Sequence, residues 1–315
     1  MKSFWRELPR PFFILAPMEA VTDVIFRHVI SSASPPDVYF TEFTNATGWL
    51  HAGEKAIGGR LVKTDDEKPI VAQLWGSDPN AMAKLALRCK KMGFHGIDIN
   101  MGCPDSSAVK SGGGAKMIQT PDIAAAMIES AKMSGLPVSV KTRLGYSKID
   151  EWNGWLSFIL EQDIEILSIH LRTKKEMSKV PAHFELIPDI ISLRDKIAPN
   201  TLLVINGDIR DRAHGEQLVK ENPGIDGIMV GRGVFHNPFA FEKIPKQHNR
   251  EELISLLKYQ LELYDKYNSL TNRPFDTLKR FFKIYIRDFD GAAELRHQLM
   301  QSKDTDEVRS LLAKM

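Results

Sequence analysis

The chain has 315 residues, with 42 Lys and Arg against 40 Asp and Glu for a net charge of +2, and it has two cysteines. A charge so close to balance excludes a general polyanion-binding field and leaves any nucleic-acid contact to local basic patches. Two cysteines exclude a disulfide framework, and no uncharged run approaches the roughly 20 residues of a membrane span. The opening Met1 to Glu7 carries an acid where a signal peptide needs apolar residues, so a cytoplasmic protein without membrane attachment is expected, and a monomer.

Short β-rich apolar runs recur at Phe12 to Met18, Val38 to Phe43, Ile70 to Trp75, Gly96 to Gly102, Val138 to Leu144, Ile166 to Arg172, Leu202 to Gly207 and Gly227 to Val230. Helical segments are predicted between them at Asn80 to Met92, Pro121 to Met133, Trp152 to Gln162, Phe184 to Lys196 and Ala213 to Glu221. Strand and helix in alternation predict a parallel sheet of the α/β class, and eight such units predict a closed (β/α)8 TIM barrel. An open doubly wound sheet would carry a Gly-x-Gly-x-x-Gly turn after its first strand, where this chain reads Ala16-Pro17-Met18-Glu19-Ala20. From about residue 240 the pattern is helical only, over Glu251 to Tyr267, Pro274 to Asp288 and shorter pieces of Gly291 to Met315. Residues 1–240 are therefore expected to form the barrel and 241–315 an all-helical domain.

Barrel enzymes build their sites at the C-terminal ends of the strands, and polar residues collect there: Gln73, Asn100 then Cys103, Lys141 and Arg143, His170 and Arg172, Asn206 and Asp208, and Arg232. Burying so many polar groups is costly unless a polar ligand satisfies them. Asn206-Gly207-Asp208-Ile209 and Gly231-Arg232-Gly233 bring glycine-freed N–H groups and a guanidinium to the place where barrels hold phosphate. Cys103 follows a strand of buried character into a loop, and a thiol with its unperturbed pKa of about 8.5 is chiefly protonated at neutral pH, able to donate a proton. A nucleophilic thiolate and an inert loop cysteine are the alternatives. Cys89 shares a helix face with Leu85 and Met92 and is expected in the core. Ser111 to Lys116 lacks the Walker spacing and is expected to be a hinge behind the Cys103 loop.

Asn100-Met101-Gly102-Cys103-Pro104, together with Leu15 to Asp23, Val71 to Asp78 and Gly291 to Arg296, resembles the motifs of the tRNA-dihydrouridine synthases, flavin enzymes that reduce the C5=C6 bond of uridine. The similarity runs along nearly the whole chain. It implies FMN against the backbone of Pro17, Met18 and Glu19, with Gln73, Lys141 and His170 at the ring and Asn206, Gly207, Asp208, Gly231 and Arg232 at the phosphate. It implies NADPH as a transient reductant, hydride delivery to uracil C6, protonation of C5 by Cys103, and Asn100 and Arg143 at the uracil edge. No metal enters this scheme. Read from the residues alone, the alternative for Lys141 is a lysine paired with a neighbouring carboxylate, and for His170 a strand-end histidine with a satisfied hydrogen bond.

Four positions depart from the family's pattern: Ser106 and the pair Arg280-Phe281 where lysine and Lys-His are usual, and Leu171 where glycine follows the histidine. For the RNA, Lys279, Lys283 and Arg287 recur at four-residue intervals, a basic stripe on a helix with Arg280 and Tyr285 beside it, or only a solvated face. Arg172, Lys174, Lys175 and Lys179 form a second candidate patch that could clamp phosphates around a flipped base. The rivals are an FMN barrel acting on a free pyrimidine, as dihydroorotate dehydrogenases do, and a tRNA-binding protein that has lost catalysis.

Overall fold

A computed structural model describes residues 3–314. Strands β1 (Phe12–Leu15), β2 (Tyr39–Phe40), β3 (Thr44–Asn45), β4 (Ile70–Trp75), β5 (Gly96–Met101), β6 (Val138–Arg143), β7 (Ile166–His170), β8 (Leu202–Asn206) and β9 (Gly227–Val230) form one parallel sheet. Its order is β1-β9-β8-β7-β6-β5-β4-β2, with β3 also on β4. A bridge between Ile14 and Val38 joins β1 to β2, with the Val38 N–H donating to the Phe13 carbonyl at 3.2 Å, and this closes the ring. The chain is thus a (β/α)8 barrel whose second position is shared by β2 and β3. The sequence predicts one strand there; the Thr41 hydroxyl instead accepts from the Gln73 N–H at 3.1 Å, and this side-chain bond interrupts the backbone ladder.

The helices lie outside the ring and form for local reasons. In Pro79–Lys91, Asp78 caps the start by accepting from the Asn80 and Ala81 N–H groups, and Pro79 sits where its missing N–H costs nothing. Ala81, Met82, Leu85, Ala86 and Cys89 then recur at helical spacing and are buried against the sheet. Cys89 is core, as expected, and burial pushes its thiol up to about 12. Helices Val24–Ala33, Ala46–Ala52 and Ser106–Lys110 were not anticipated.

The N-terminal end of the barrel is filled. A short turn, Phe4–Arg6, inserts Trp5 among Phe12, Ile14, Phe40, Val71, Ile166 and Leu202, leaving it 1% exposed. Gly227 stands opposite Phe12 in register, and a Cβ there would lie 2.3 Å from the Phe12 ring, so the large residue needs the small one.

Beyond the last barrel turn, Gly233–His236, the chain is helical: Arg250–Thr271, Asp276–Lys279, Phe282–Tyr285, Ala292–Gln301 and Thr305–Leu312. One helix was expected over Pro274 to Asp288, but Leu278, Phe281, Phe282, Ile284, Tyr285 and Ile286 are all buried. Three consecutive buried residues at 284–286 exceed one helical face, and the segment wraps into the core as two short turns. Phe281 stacks on Phe26 with centroids 4.8 Å apart, and one apolar core continues from the barrel helices into these. Among the described residues no helix is long and apolar enough to cross a membrane.

Candidate active site

A cavity of about 500 Å³ opens at the C-terminal ends of the strands, within the range typical of small-molecule sites. Ala16, Pro17 and Met18 follow β1 into its wall; Asn100, Gly102 and Cys103 come from β5, Lys141 and Arg143 from β6, and His170 from β7. The end of β8 gives Asn206, the loop after it Gly207, Asp208 and Arg210, and the loop after β9 Gly231 and Arg232. Phe43, Arg210 and His236 also line it and were not singled out from the sequence. Gln73 and Glu19, expected at the flavin, are outside this wall, as are Arg172, Lys279, Lys283 and Arg287.

Gln73 lies one layer down, fully buried, and is spent on neighbours. Its Nε2 donates to Asp98 Oδ2 at 2.7 Å, and its Oε1 accepts from Asn100 Nδ2 at 3.0 Å. Ser139 Oγ donates to the other Asp98 oxygen at 2.6 Å. Burial raises the Asp98 carboxyl to about 6 against the pull of Ser139, Gln73 and Lys141. Above it Lys141 donates to Asn206 Oδ1 at 3.2 Å, and burial with repulsion from Arg143 lowers its ammonium to about 8. Lys141 is therefore still a cation at neutral pH, poised over a buried acid.

The Cys103 loop is held from three sides. Asn100, expected at a uracil edge, lines the cavity and also shapes this turn, its Oδ1 accepting from the Gly102 and Cys103 N–H groups at 3.1 and 2.9 Å. Arg143, also expected there, donates from Nε to the Gly102 carbonyl at 2.7 Å and from Nη1 to the Thr173 and Met177 carbonyls at 3.1 and 3.0 Å. It thereby ties the Cys103 loop to the loop after β7. Behind the thiol, a Cβ on Gly114 would lie 2.7 Å from the Cys103 carbonyl and one on Gly113 2.8 Å from the Trp75 ring. The glycine run expected as a hinge is a close-packed seat. Burial raises the Cys103 thiol more than the nearby Arg143 and Lys141 lower it, and it stays protonated at neutral pH.

Across the cavity, Arg172 is only 2% exposed and its guanidinium is committed. Nε donates to the Val180 carbonyl at 2.6 Å, Nη2 pairs with Asp208, and Nη1 lies 3.0 Å from His170 Nε2. Arg172, expected as an RNA clamp, is an internal brace in this structure. Because arginine can only donate, His170 Nε2 must accept, which puts the imidazole proton on Nδ1. Burial, then the charges of Arg143, Lys141, Arg172 and Arg232, hold the His170 pKa well below the usual imidazole value. Gly207 has φ 116°, and a Cβ there would lie 3.1 Å from the His170 ring; Asp208 follows with φ 48°. Asp208 also accepts from the largely exposed Arg232 at 3.3 Å.

The basic stripe does not form. Lys279 pairs with Asp276 at 2.7 Å and lies over Phe275, Arg287 donates to the His236 carbonyl, and only Lys283 and Arg280 stand exposed. Tyr285, expected to stack on a nucleotide, is fully buried with its hydroxyl donating to Gln260 at 2.7 Å. Of the family departures, Leu171 and Phe281 point into the core and Ser106 is exposed, outside the cavity wall.

Polar side chains from several strands, converging at the carboxyl end of a closed parallel ring, define a (β/α)8-barrel enzyme. The family described as Dihydrouridine synthase (Dus) matches residues 14–315, and the chain belongs to that family of oxidoreductases. It is 58% identical over 312 residues to a probable tRNA-dihydrouridine synthase 2 of Bacillus subtilis (strain 168), covering 99% of this chain and 96% of that one. A probable tRNA-dihydrouridine synthase of Staphylococcus aureus (strain COL) is 57% identical over 312 residues, covering 99% and 95%. Two solved structures share the fold at 12% identity over 72% of this chain: 6-hydroxypseudooxynicotine amine oxidase from Pseudomonas geniculata N1, TM-score 0.53, and histamine dehydrogenase from Rhizobium sp. 4-9, TM-score 0.50. The chain spans 46% and 44% of their lengths, and at that identity the likeness is one of fold.

Proposed function

We propose that the chain reduces one uridine of tRNA to 5,6-dihydrouridine, with FMN across the rim cavity, NADPH as transient reductant and residues 241–315 helping to carry the RNA. The donor set suits such a cofactor. Ala16, Pro17 and Met18 offer an apolar wall for a flat ring, while Gly207, Gly231, Arg210 and Arg232, on the β8 and β9 rim beside it, gather N–H groups and positive charge for a phosphate. FMN, when bound, supplies the hydride that uracil C6 receives.

Lys141 stabilises negative charge near the ring, and the His170 Nδ1–H is a neutral donor whose orientation Arg172 fixes. Cys103 gives its proton to C5 on the face opposite the hydride, and the adjacent Arg143 and Lys141 charges stabilise the resulting thiolate until solvent returns the proton. The observation that carries this reading is the position of the Cys103 thiol, seated by Asn100 and Arg143 in the same cavity wall as Lys141 and His170. Of the two basic patches, the exposed Lys175, Lys179, Lys283 and Arg280 remain to meet RNA phosphates.

Purified protein is expected to be yellow, to bleach with NADPH, and to be reoxidised far faster by unmodified tRNA than by free uracil or orotate. Cys103→Ala is expected to keep colour and bleaching and to lose dihydrouridine formation by roughly 100-fold or more. An unchanged yield removes the thiol from the chemistry, rapid reoxidation by orotate favours a free-pyrimidine enzyme, and a colourless tRNA-binding protein favours lost catalysis.

A further inference from the structure

A second cavity, of about 690 Å³, opens beside the first, and Met18, Phe43 and Cys103 belong to both walls. Its remaining walls differ in chemistry. The Phe43 and Trp75 rings that line it stand at 77° to each other with centroids 6.5 Å apart, and Trp75 is steadied by the close approach of Gly113. The central cavity gathers four cations, Lys141, Arg143, Arg210 and Arg232, whereas the second has Arg60 alone, paired with Glu19, and adds Asp105. A phosphate fits poorly there. An uncharged flat ring bearing amino hydrogens fits well, since aromatic faces stack on it and carboxylates accept from its edge.

We infer that this second cavity receives the base adjoining the target uridine in the RNA, a guanine whose amino hydrogens meet the Asp105 carboxylate and whose imino hydrogen meets Glu19 while its plane lies on Trp75. The inference rests on the tRNA reading above. Everting a nucleotide into the central cavity draws its covalent neighbour to the same rim, and the shared Cys103 wall leaves the second cavity directly beside it. The dinucleotide reductant is the poorer occupant, because its linked phosphates would face Glu19 and Asp105 with one neutralised guanidinium between them.

Full-length substrate tRNA is prepared with either neighbour of the reduced uridine made abasic, or with inosine in place of guanosine, and turned over by the flavin-loaded protein and by Trp75→Leu and Asp105→Asn. One abasic transcript is expected to lose kcat/KM by about 10-fold on the wild type and far less on Trp75→Leu, as expected for a lost stacking contact. Inosine at that position, lacking the 2-amino group, is expected to be slower on the wild type only, with Asp105→Asn indifferent to the change. Asparagine keeps an oxygen for the Ser107 N–H that Asp105 caps, so this comparison decides if Trp75→Leu does not fold. The inference is overturned if both abasic transcripts match the parent, if the penalty is equal in wild type and variants, or if Trp75→Leu raises the KM for NADPH and leaves that for tRNA. No dihydrouridine from the parent transcript would instead overturn the proposed function itself.

Discussion

Replacing Arg143 with methionine tests whether a single guanidinium keeps the Cys103 loop in place. The side chain is 6% exposed and makes three charge-assisted bonds, one to the Gly102 carbonyl on the thiol's loop and two, to Thr173 and Met177, on the loop after β7. Bonds to a charged group contribute about 1.5–3 kcal/mol each, and burial of the guanidinium, which lowers its pKa to about 10, offsets part of that. A net stability loss of about 2–4 kcal/mol is expected from a denaturant titration. Of the three bonds only that to Gly102 acts on the thiol directly. Its loss, at about 1.5–3 kcal/mol, limits the fall in seated loop to roughly 10- to 150-fold. In rapid-mixing experiments the tRNA-dependent reoxidation of the flavin should slow within that range, while bleaching by NADPH changes by no more than about two-fold. Arg143→Lys should fall between, because one ammonium cannot reach all three carbonyls. Equal slowing of both half-reactions, or a change confined to the KM for tRNA, would refute the positioning role and return Arg143 to the substrate edge.

Glu42 is fully buried and accepts from Arg273 of the C-terminal region at 2.7 and 2.6 Å; Glu42→Gln should cost about 3–5 kcal/mol, toward the lower figure because Arg273 keeps some solvent, read from denaturant midpoints. His170 is held neutral when folded, whereas the unfolded chain takes up that proton near the ordinary value of 6.5. The unfolded state thus binds more protons below that pH, and His170 makes stability fall as pH falls. The difference in unfolding midpoint between wild type and His170→Gln should therefore shift against the wild type on going from pH 7 to pH 5, and a constant difference would refute a depressed imidazole. Lys283→Ala should lower the log–log salt slope of tRNA binding by about one, and Lys279→Ala by less because Asp276 already holds that charge.

Strands β4, β8 and β9 were legible because both their faces are buried, which leaves near-continuous apolar runs between turn signals. β2 and β3 were not separable, since the interruption depends on the Thr41 hydroxyl meeting a backbone N–H of another strand. The polar rim was legible for the same topological reason as the barrel: strand ends are fixed points. Which arginine braces and which stays free was not, because Arg143 and Arg172 find their partners in a loop whose path only tertiary packing sets. Asp98 was hidden inside a buried strand, where its alternation toward the barrel axis becomes visible only beside Gln73 and Ser139. Phe43, Arg210 and His236 belong to no motif and reach the cavity through loop geometry alone.

Trp5 stoppers the barrel at the end remote from Cys103. A vessel with one mouth forces its visitors to take turns: a nucleic acid seated over the opening bars the small reductant, and a lingering reductant keeps the nucleic acid out. Excess tRNA, otherwise the fuel of turnover, should then behave as a competitive brake on the recharging step.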